Sequence, residues 1–328
     1  MMVQYTQVLG MNEEGNMYDT IILGNGIAGM SAAIYAKRAG LNFKIIGEEE
    51  FSVGQIENAV LVENYPGIKA ISGYDLGNSI KEQMEEMGIT VEEKEVVSIE
   101  KIESTIEQLS DFFTVKYSDG TESYAETIIY ALGSKHRELS EICNIKDNVT
   151  YHHCAICDGA LYKGKNVAII GGGNTAFTEA LYLSKIASTV RIITDKIIAD
   201  STLINKVCDT KNISVIDNAK ITFLYKENGS ICIDYKYKDA MCKNIVDGLF
   251  AAIGSKPQSQ YCPDGVQKSY SGYVIANECG ETDIEGFYVA GDIRRKTLRQ
   301  AITAAADGAN CANSVNFYLQ NNKNKSQD

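Results

Sequence analysis

The chain of 328 residues predicts an α/β fold built from two doubly wound, three-layer units, one inserted into the other. Three observations carry that expectation. A short apolar run, a glycine turn, a helix-spaced pattern, a second apolar run and an acid occur in this order twice, over residues 20–48 and again over 166–195. In both copies the acid stands 24 positions beyond the first glycine. Two similar apolar runs that end in glycine, 128–133 and 249–254, bracket the second copy and read as an outward and a return crossing.

Residues 1–17 mix polar and apolar residues without a period and read as an extension ahead of the fold. Thr20, Ile21, Ile22 and Leu23 suit a buried parallel strand. The turn Gly24-Asn25-Gly26-Ile27-Ala28-Gly29 follows at once, and Ile27, Met30, Ala33 and Ile34 recur at helical spacing until Gly40. Residues 43–46 form the next strand, with Glu48 near its end. In that context Gly24, Gly26, Ala28 and Gly29 let the backbone approach a pyrophosphate at a helix N-terminus, and Glu48 stands where an acid binds a ribose hydroxyl. Further on, 63–67 is a loop, 74–87 a polar helix, and Asp119-Gly120 a hairpin turn between strands at 112–117 and 123–130.

The second copy places a strand at 166–170, a turn with Gly171, Gly173, Asn174 and Thr175, a helix from Ala176, and a strand at 189–193 that leads to Asp195. Asn228-Gly229 signals another hairpin. The last segment gives a strand at 286–290, Gly291-Asp292, the basic run Arg294-Arg295-Lys296, and a final helix over 298–319. One dinucleotide-binding domain is therefore expected over 18–131 and 255–320, a second over 132–254, and a polar disordered tail at 321–328.

Between the crossings lies Cys154-Ala155-Ile156-Cys157-Asp158-Gly159. Two thiols three positions apart close a small disulfide, and at a helix start the dipole favours one of them as thiolate, so the pair is fit to exchange electrons. The alternative is half a metal site with His152 and His153. Zinc needs a second spaced pair, the chain contains no other C-x-x-C or H-x-x-H, and no metal is expected. Asp158 is either the proton donor and acceptor for the thiols or a plain acid of the first helical turn.

The other seven cysteines read as reduced and mostly buried, because an odd total of 9 spread irregularly over a long chain is no secreted disulfide framework. A net charge of -12 without a sustained basic run argues against nucleic acid. Neither a signal peptide nor an apolar run of bilayer length is visible, so a cytoplasmic setting away from membranes is expected.

Taken in order, GNGIAG, ENYPG, the crossing at ALG, CAICDG, GGGNTA, the crossing at AAIG and AGDIRRKTLRQA resemble the low-molecular-weight thioredoxin reductases, from Tyr18 to about Gln320. The resemblance implies FAD in the first domain, with Gly24, Gly26 and Gly29 at its pyrophosphate, Gln55 and Asn64 near the flavin, Asp292 near the ribityl chain, and Arg299, Gln300 and Ala301 near the pyrimidine edge. It implies a homodimer that passes two electrons from flavin to the dithiol and on to thioredoxin or a similar small protein. Cys157 would face the flavin and Cys154 attack the partner, the inserted domain turning on hinges at Gly133 and Gly254. A dithiol oxidase of the same fold that uses oxygen, and a non-catalytic flavin sensor, are the competing readings.

The chain departs from the family at its second nucleotide site. Members that use NADPH carry H-R-R-x-x-x-R, whose arginines hold the 2′-phosphate; here the stretch is Thr194-Asp195-Lys196-Ile197-Ile198-Ala199-Asp200. Each charged hydrogen bond lost costs ~1.5–3 kcal/mol, and the new carboxylates repel a phosphate, which disfavours NADPH. Two donors remain. NADH would be cradled by Gly171, Gly173, Asn174 and Thr175 and read by Asp195. Reduced ferredoxin, an acidic partner, would be received by Arg294, Arg295, Lys296 and Arg299, although a solvated loop is the simpler account of 294–296 and the glycines of the second turn would then serve packing alone.

Overall fold

The computed structural model describes residues 17–47, 52–59, 61–103, 111–146 and 149–325. Glu48 and the expected N-terminal extension, apart from Met17, lie outside the described residues. The chain divides into two compact units, Met1–Ser134 with Pro257–Asp328, and Lys135–Lys256.

The first unit begins with β1 (Tyr18–Leu23), whose Ile21, Ile22 and Leu23 are fully buried. It runs parallel to β2 (Phe43–Gly47), Thr20 facing Phe43 and Leu23 facing Ile46. Between them α1 (Ile27–Arg38) starts directly after Gly26 and presses Met30, Ala33 and Ala36 onto the sheet. α2 (Gly73–Glu86) is capped by Ser72, whose hydroxyl oxygen accepts the Asp75 N–H at 3.0 Å. β3 (Val91–Glu93) adds to β2, and β4 (Val96–Ile102), β5 (Phe112–Tyr117) and β6 (Glu122–Tyr130) form an antiparallel meander. The first half of β6 pairs with β5, and its second half lies parallel to β1 with Ile129 opposite Ile22. One strand thereby joins the meander to the parallel sheet.

The outward crossing continues into β7 (Ser134–His136), and the second unit follows. Its elements are β8 (Asn144–Ile145), α3 (Ala155–Asp158), β9 (Asn166–Ile170), α4 (Asn174–Leu183), β10 (Thr189–Ile193), α5 (Ser201–Cys208), β11 (Ile213–Ile216), β12 (Ala219–Glu227), β13 (Ser230–Tyr237), β14 (Ala240–Val246) and β15 (Gly248–Ala251). A parallel sheet in the order β11-β10-β9-β15 carries Phe177, Ala180 and Leu183 of α4 on one face. Its other face meets the sheet β14-β13-β12-β8 through Ala168, Ile170, Leu224, Ile233 and Leu249. Asn228 and Gly229, at φ 51 and 83°, close the hairpin between β12 and β13, as two left-handed residues must in such a tight turn. β16 (Ser255–Pro257) pairs with β7 on the return.

Back in the first unit, β17 (Phe287–Val289) lies parallel to β6 on the side away from β1, and α6 (Ala301–Lys325) closes the chain. Three expectations need correction. The final helix starts at Ala301 rather than 298, and it runs through residues 321–325, where a disordered tail is expected. Once Val315 and Leu319 anchor the helix in the core, each further residue extends it at little cost, and no glycine or proline interrupts 320–325. Of the seven unbonded cysteines only Cys232 and Cys311 are buried, while Cys208 and Cys279 are exposed.

The packing of α6 on α1 depends on a missing side chain. A Cβ on Gly308 would stand 2.0 Å from the carbonyl oxygen of Ala28 and 2.9 Å from the nitrogen of Ala32. Gly308→Val should separate the two helices and lower the stability of the first unit by about 1–3 kcal/mol or more, as overpacking does. The check is the urea midpoint of the variant, and an unchanged midpoint would contradict the contact.

Candidate active site

In the first unit the chain approaches itself closely at the glycine turn. Gly24, at φ 106°, donates its N–H to Ile46 at 2.8 Å, and a Cβ there would lie 2.5 Å from the oxygen of Ala131. Gly29 is as restricted, since its Cβ would meet the Gly24 oxygen. Gly26 differs: a Cβ there would find none of the described residues within 4 Å, so the N-terminus of α1 opens onto free space. By helix geometry its first N–H groups have no partner within the helix, and the positive end of the dipole faces that space.

Of the other predicted residues of this unit that the structure describes, Gln55 and Asp292 adjoin glycines packed on the turn, and Asn64, Arg299 and Gln300 connect to one another or to Asp292. Gly54, at the start of the turn that holds exposed Gln55, is so close that its Cβ would lie 3.0 Å from the Cα of Gly26. Gly291 packs on Ala28 in the same way, which brings Asp292 beside the turn. The Asn64 amide donates to Gln300 Oε1 at 2.9 Å and so ties the 63–67 loop to the start of α6 at Ala301. Arg299 lies 4.0 Å from the centre of the Tyr273 ring and donates through Nε to the Asp292 carbonyl. The Asp292 carboxyl is pushed up by burial against the pull of Lys296 and Arg299, and the Lys296 ammonium lies 3.5 Å from its Oδ1.

The basic run before α6 does not form the solvated loop expected from its charges. Arg294 is buried and bonded to Asp307 at 3.0 Å, and Lys296 lies 3.0 Å from the same carboxylate. Only Arg295 of the three is exposed. Asp307 also accepts the Gly291 N–H at 3.0 Å, so this ion cluster fixes the loop of Asp292 to α6.

In the second unit Cys154 and Cys157 are joined in a disulfide at the start of α3. Cys154 occupies the capping position, where its Sγ accepts the Cys157 N–H at 3.2 Å. Asp158 is buried and reaches no helix end; its Oδ2 lies 3.0 Å from His152 Nδ1, while its Oδ1 finds no hydrogen-bond partner among the described residues. His153 turns elsewhere, stacked on His136 at 4.5 Å.

The second glycine turn repeats the first, with Gly171 at φ 145° against the oxygen of Ala252, but its opening is different. Asn174, the first residue of α4, donates to Asp200 Oδ2 at 2.6 Å and accepts the Asp200 N–H at 2.8 Å. Ile198 donates its N–H to Gly172 at 2.8 Å, and its side chain reaches the space before Gly173. Thr175 and Asp195 are exposed at the same rim. A carboxylate thus occupies the mouth of the second turn.

Glu179 escaped the sequence reading. It interrupts the apolar stripe of Ala176, Phe177, Ala180 and Leu183 on α4, and an acid within such a stripe was the available signal. Its Oε1 accepts the Ala155 N–H at 3.2 Å, immediately after Cys154, and its buried Oε2 has no hydrogen-bond partner among the described residues. Burial pushes the carboxyl from 4.5 up to about 7, against the pull of the Ala155 N–H. Between those values the folded chain holds a proton that the unfolded chain has lost, so stability falls as pH rises through this window and stays lowered above it. Glu179→Gln should remove that loss and gain on the order of 3 kcal/mol over the parent between about pH 4 and pH 8. The measurement is the difference in urea midpoint against pH; a difference independent of pH would contradict it.

Among the described residues no helix is long and apolar enough to cross a membrane. Residues 18–308 match the family model described as pyridine nucleotide-disulphide oxidoreductase. The thioredoxin reductase of Bacillus subtilis is 34% identical over 322 residues, 94% of this chain and 97% of the relative. A crystal structure of thioredoxin reductase from Streptococcus pyogenes superposes with a TM-score of 0.80 at 29% identity, covering 93% of this chain and 99% of that one. A structure described as a ferredoxin-flavin thioredoxin reductase, from Clostridium acetobutylicum, has a TM-score of 0.52 at 26% identity and covers 94% and 99%. The chain therefore belongs to the pyridine nucleotide-disulphide oxidoreductase family, among the low-molecular-weight thioredoxin reductases, which are FAD-dependent oxidoreductases.

Proposed function

We propose that this protein reduces the disulfide of thioredoxin or a similar small protein through FAD and the Cys154–Cys157 pair, with reduced ferredoxin as the electron donor. The observation that carries the first part is the disulfide at the head of α3 with a buried carboxyl, Asp158, next to it in sequence. FAD suits the first unit. The open N-terminus of α1 would take its pyrophosphate, Asp292 beside the turn would take a ribityl hydroxyl, and Asn64, Gln300 and Ala301 would border the flavin. When bound, FAD supplies a two-electron carrier.

The rest of the chemistry belongs to the cysteines. Two electrons break the S–S bond and leave one sulfur as thiolate, while the other takes a proton from Asp158. The Cys157 N–H steadies negative charge on Cys154, which then attacks the external disulfide. Cys157 resolves the mixed disulfide, and the partner leaves as a dithiol.

The donor is argued from the second turn. Asp200 bonds to Asn174 where a dinucleotide pyrophosphate would sit, so like charges oppose any nicotinamide dinucleotide, and the 2′-phosphate of NADPH most of all. NADH is the second reading, favoured by exposed Asp195 beyond the end of β10. The basic cluster no longer supports a ferredoxin dock, because Arg294 and Lys296 are spent on Asp307.

Anaerobic bleaching of the flavin absorbance tests the donor. Reduced ferredoxin should bleach fastest, NADH more slowly, and NADPH at least ~10-fold more slowly than NADH. Equal rates with the two nucleotides would refute the charge argument. Cys154→Ser should retain FAD and abolish thioredoxin reduction, and activity in that variant would remove Cys154 from the mechanism.

A further inference from the structure

The dithiol must gain and lose a proton in each cycle, and Asp158 is too buried to exchange it with water directly. Its carboxylate faces an imidazole instead. Asp158 Oδ2 lies 3.0 Å from His152 Nδ1, and His152 Nε2 lies 2.7 Å from the Tyr162 hydroxyl. The side chains of Asp158 and His152 are only 8% and 11% exposed, whereas Tyr162 is half-buried on the way to the surface. Three groups able to carry protons therefore stand in series, from the residue that follows Cys157 to a half-buried tyrosine.

The imidazole has little freedom to do anything else. The His152 backbone is bonded on both sides to β15, its N–H to Leu249 at 2.9 Å and its carbonyl to the Ala251 N–H at 2.7 Å. Its ring packs on Phe250 at 5.3 Å and edge-on to Tyr162 at 5.4 Å. The Phe250 and Tyr162 rings also meet edge-on at 5.5 Å, so the imidazole is flanked by both. The neighbouring ionisable groups are turned away: His153 stacks on His136 and faces Glu138, and the Lys165 ammonium lies over the Tyr162 ring rather than at its hydroxyl. When the Tyr162 hydroxyl donates to Nε2, the ring can donate from Nδ1 to Asp158 Oδ2.

We propose that His152 is the positioning residue of the dithiol's acid, passing protons between Asp158 and the Tyr162 end of the series. The proposal rests on the disulfide-reducing function given above. As the S–S bond breaks, one sulfur leaves as thiolate, and Asp158 takes the His152 Nδ1 proton and hands it to the other sulfur. His152 regains a proton at Nε2 from the solvent side through Tyr162. One proton enters for two electrons, and it returns along the same groups when the dithiol passes its electrons on. An imidazole can accept a proton at one nitrogen as it gives one up at the other, which is what a relay between Tyr162 and Asp158 requires.

The FAD-loaded protein is mixed with excess dithiothreitol, and the opening of the Cys154–Cys157 bond is followed by acid quench and thiol labelling, which requires neither donor nor partner protein. His152→Ala should slow bond opening ~10- to 100-fold near neutral pH, with imidazole added to the solution restoring most of the rate. His152→Gln, which keeps a polar side chain of similar reach, should show the same slowing with no restoration. A parental rate in His152→Gln, or slowing of His152→Ala that imidazole leaves untouched, would overturn the relay. Asp158→Asn separates the two ideas: a parental rate there removes Asp158 itself and with it the acid assigned above, whereas slowing confined to Asp158→Asn removes His152 alone.

Discussion

A single steric constraint, used twice, organises this protein. In each unit the first glycine of the turn takes a left-handed conformation and leaves no room for a Cβ, because the carbonyl of the residue ending a crossing strand occupies that place. The pairs are Gly24 with Ala131 and Gly171 with Ala252. The hydrogen bonds repeat as well. Gly24 and Gly171 donate to Ile46 and Ile193, while Ala131 and Ala252 donate to Leu23 and Ile170. Packing crossing strand, first strand and second strand this tightly aims the following helix, N-terminus first, at the carboxyl ends of the parallel strands, where ligands of such sheets bind.

From that common frame the two units diverge in chemistry. Around the first turn Gly54 and Gly291 press close without filling the opening, and Arg294 and Lys296 are drawn onto Asp307 to hold the Asp292 loop. Around the second turn, Asp200 and Ile198 fold back over the opening. The same backbone geometry thus presents positive dipole to open space in one case and to a carboxylate in the other. Which ligand each accepts depends on those side chains and not on the glycines.

The disulfide lies among groups that hold or move protons. Burial raises Glu179, which grips the Ala155 N–H, and Asp158 shares its carboxylate with His152. Thiol chemistry couples each electron pair to a proton, and a low-dielectric surround with few hydrogen-bonded exits makes the route of that proton part of the mechanism. The aromatic rings of Phe250 and Tyr162 supply that surround.

By itself the sequence determined the local and repetitive features: the central strands of both parallel sheets, the hairpins at Asp119-Gly120 and Asn228-Gly229, the helix after each glycine turn, and the redox pair. Apolar periodicity, left-handed turn residues and the close approach of glycine leave direct marks in the residue order. Tertiary structure alone decided what depends on partners far along the chain. Arg294 and Lys296 looked solvated until Asp307 met them, Glu179 was one acid among many until α4 carried it to the Ala155 N–H, and His152 had no visible role before Asp158 and Tyr162 closed on its two nitrogens. Charge and burial are properties of the neighbourhood, and a neighbourhood assembled from distant segments leaves no periodic trace to read in advance.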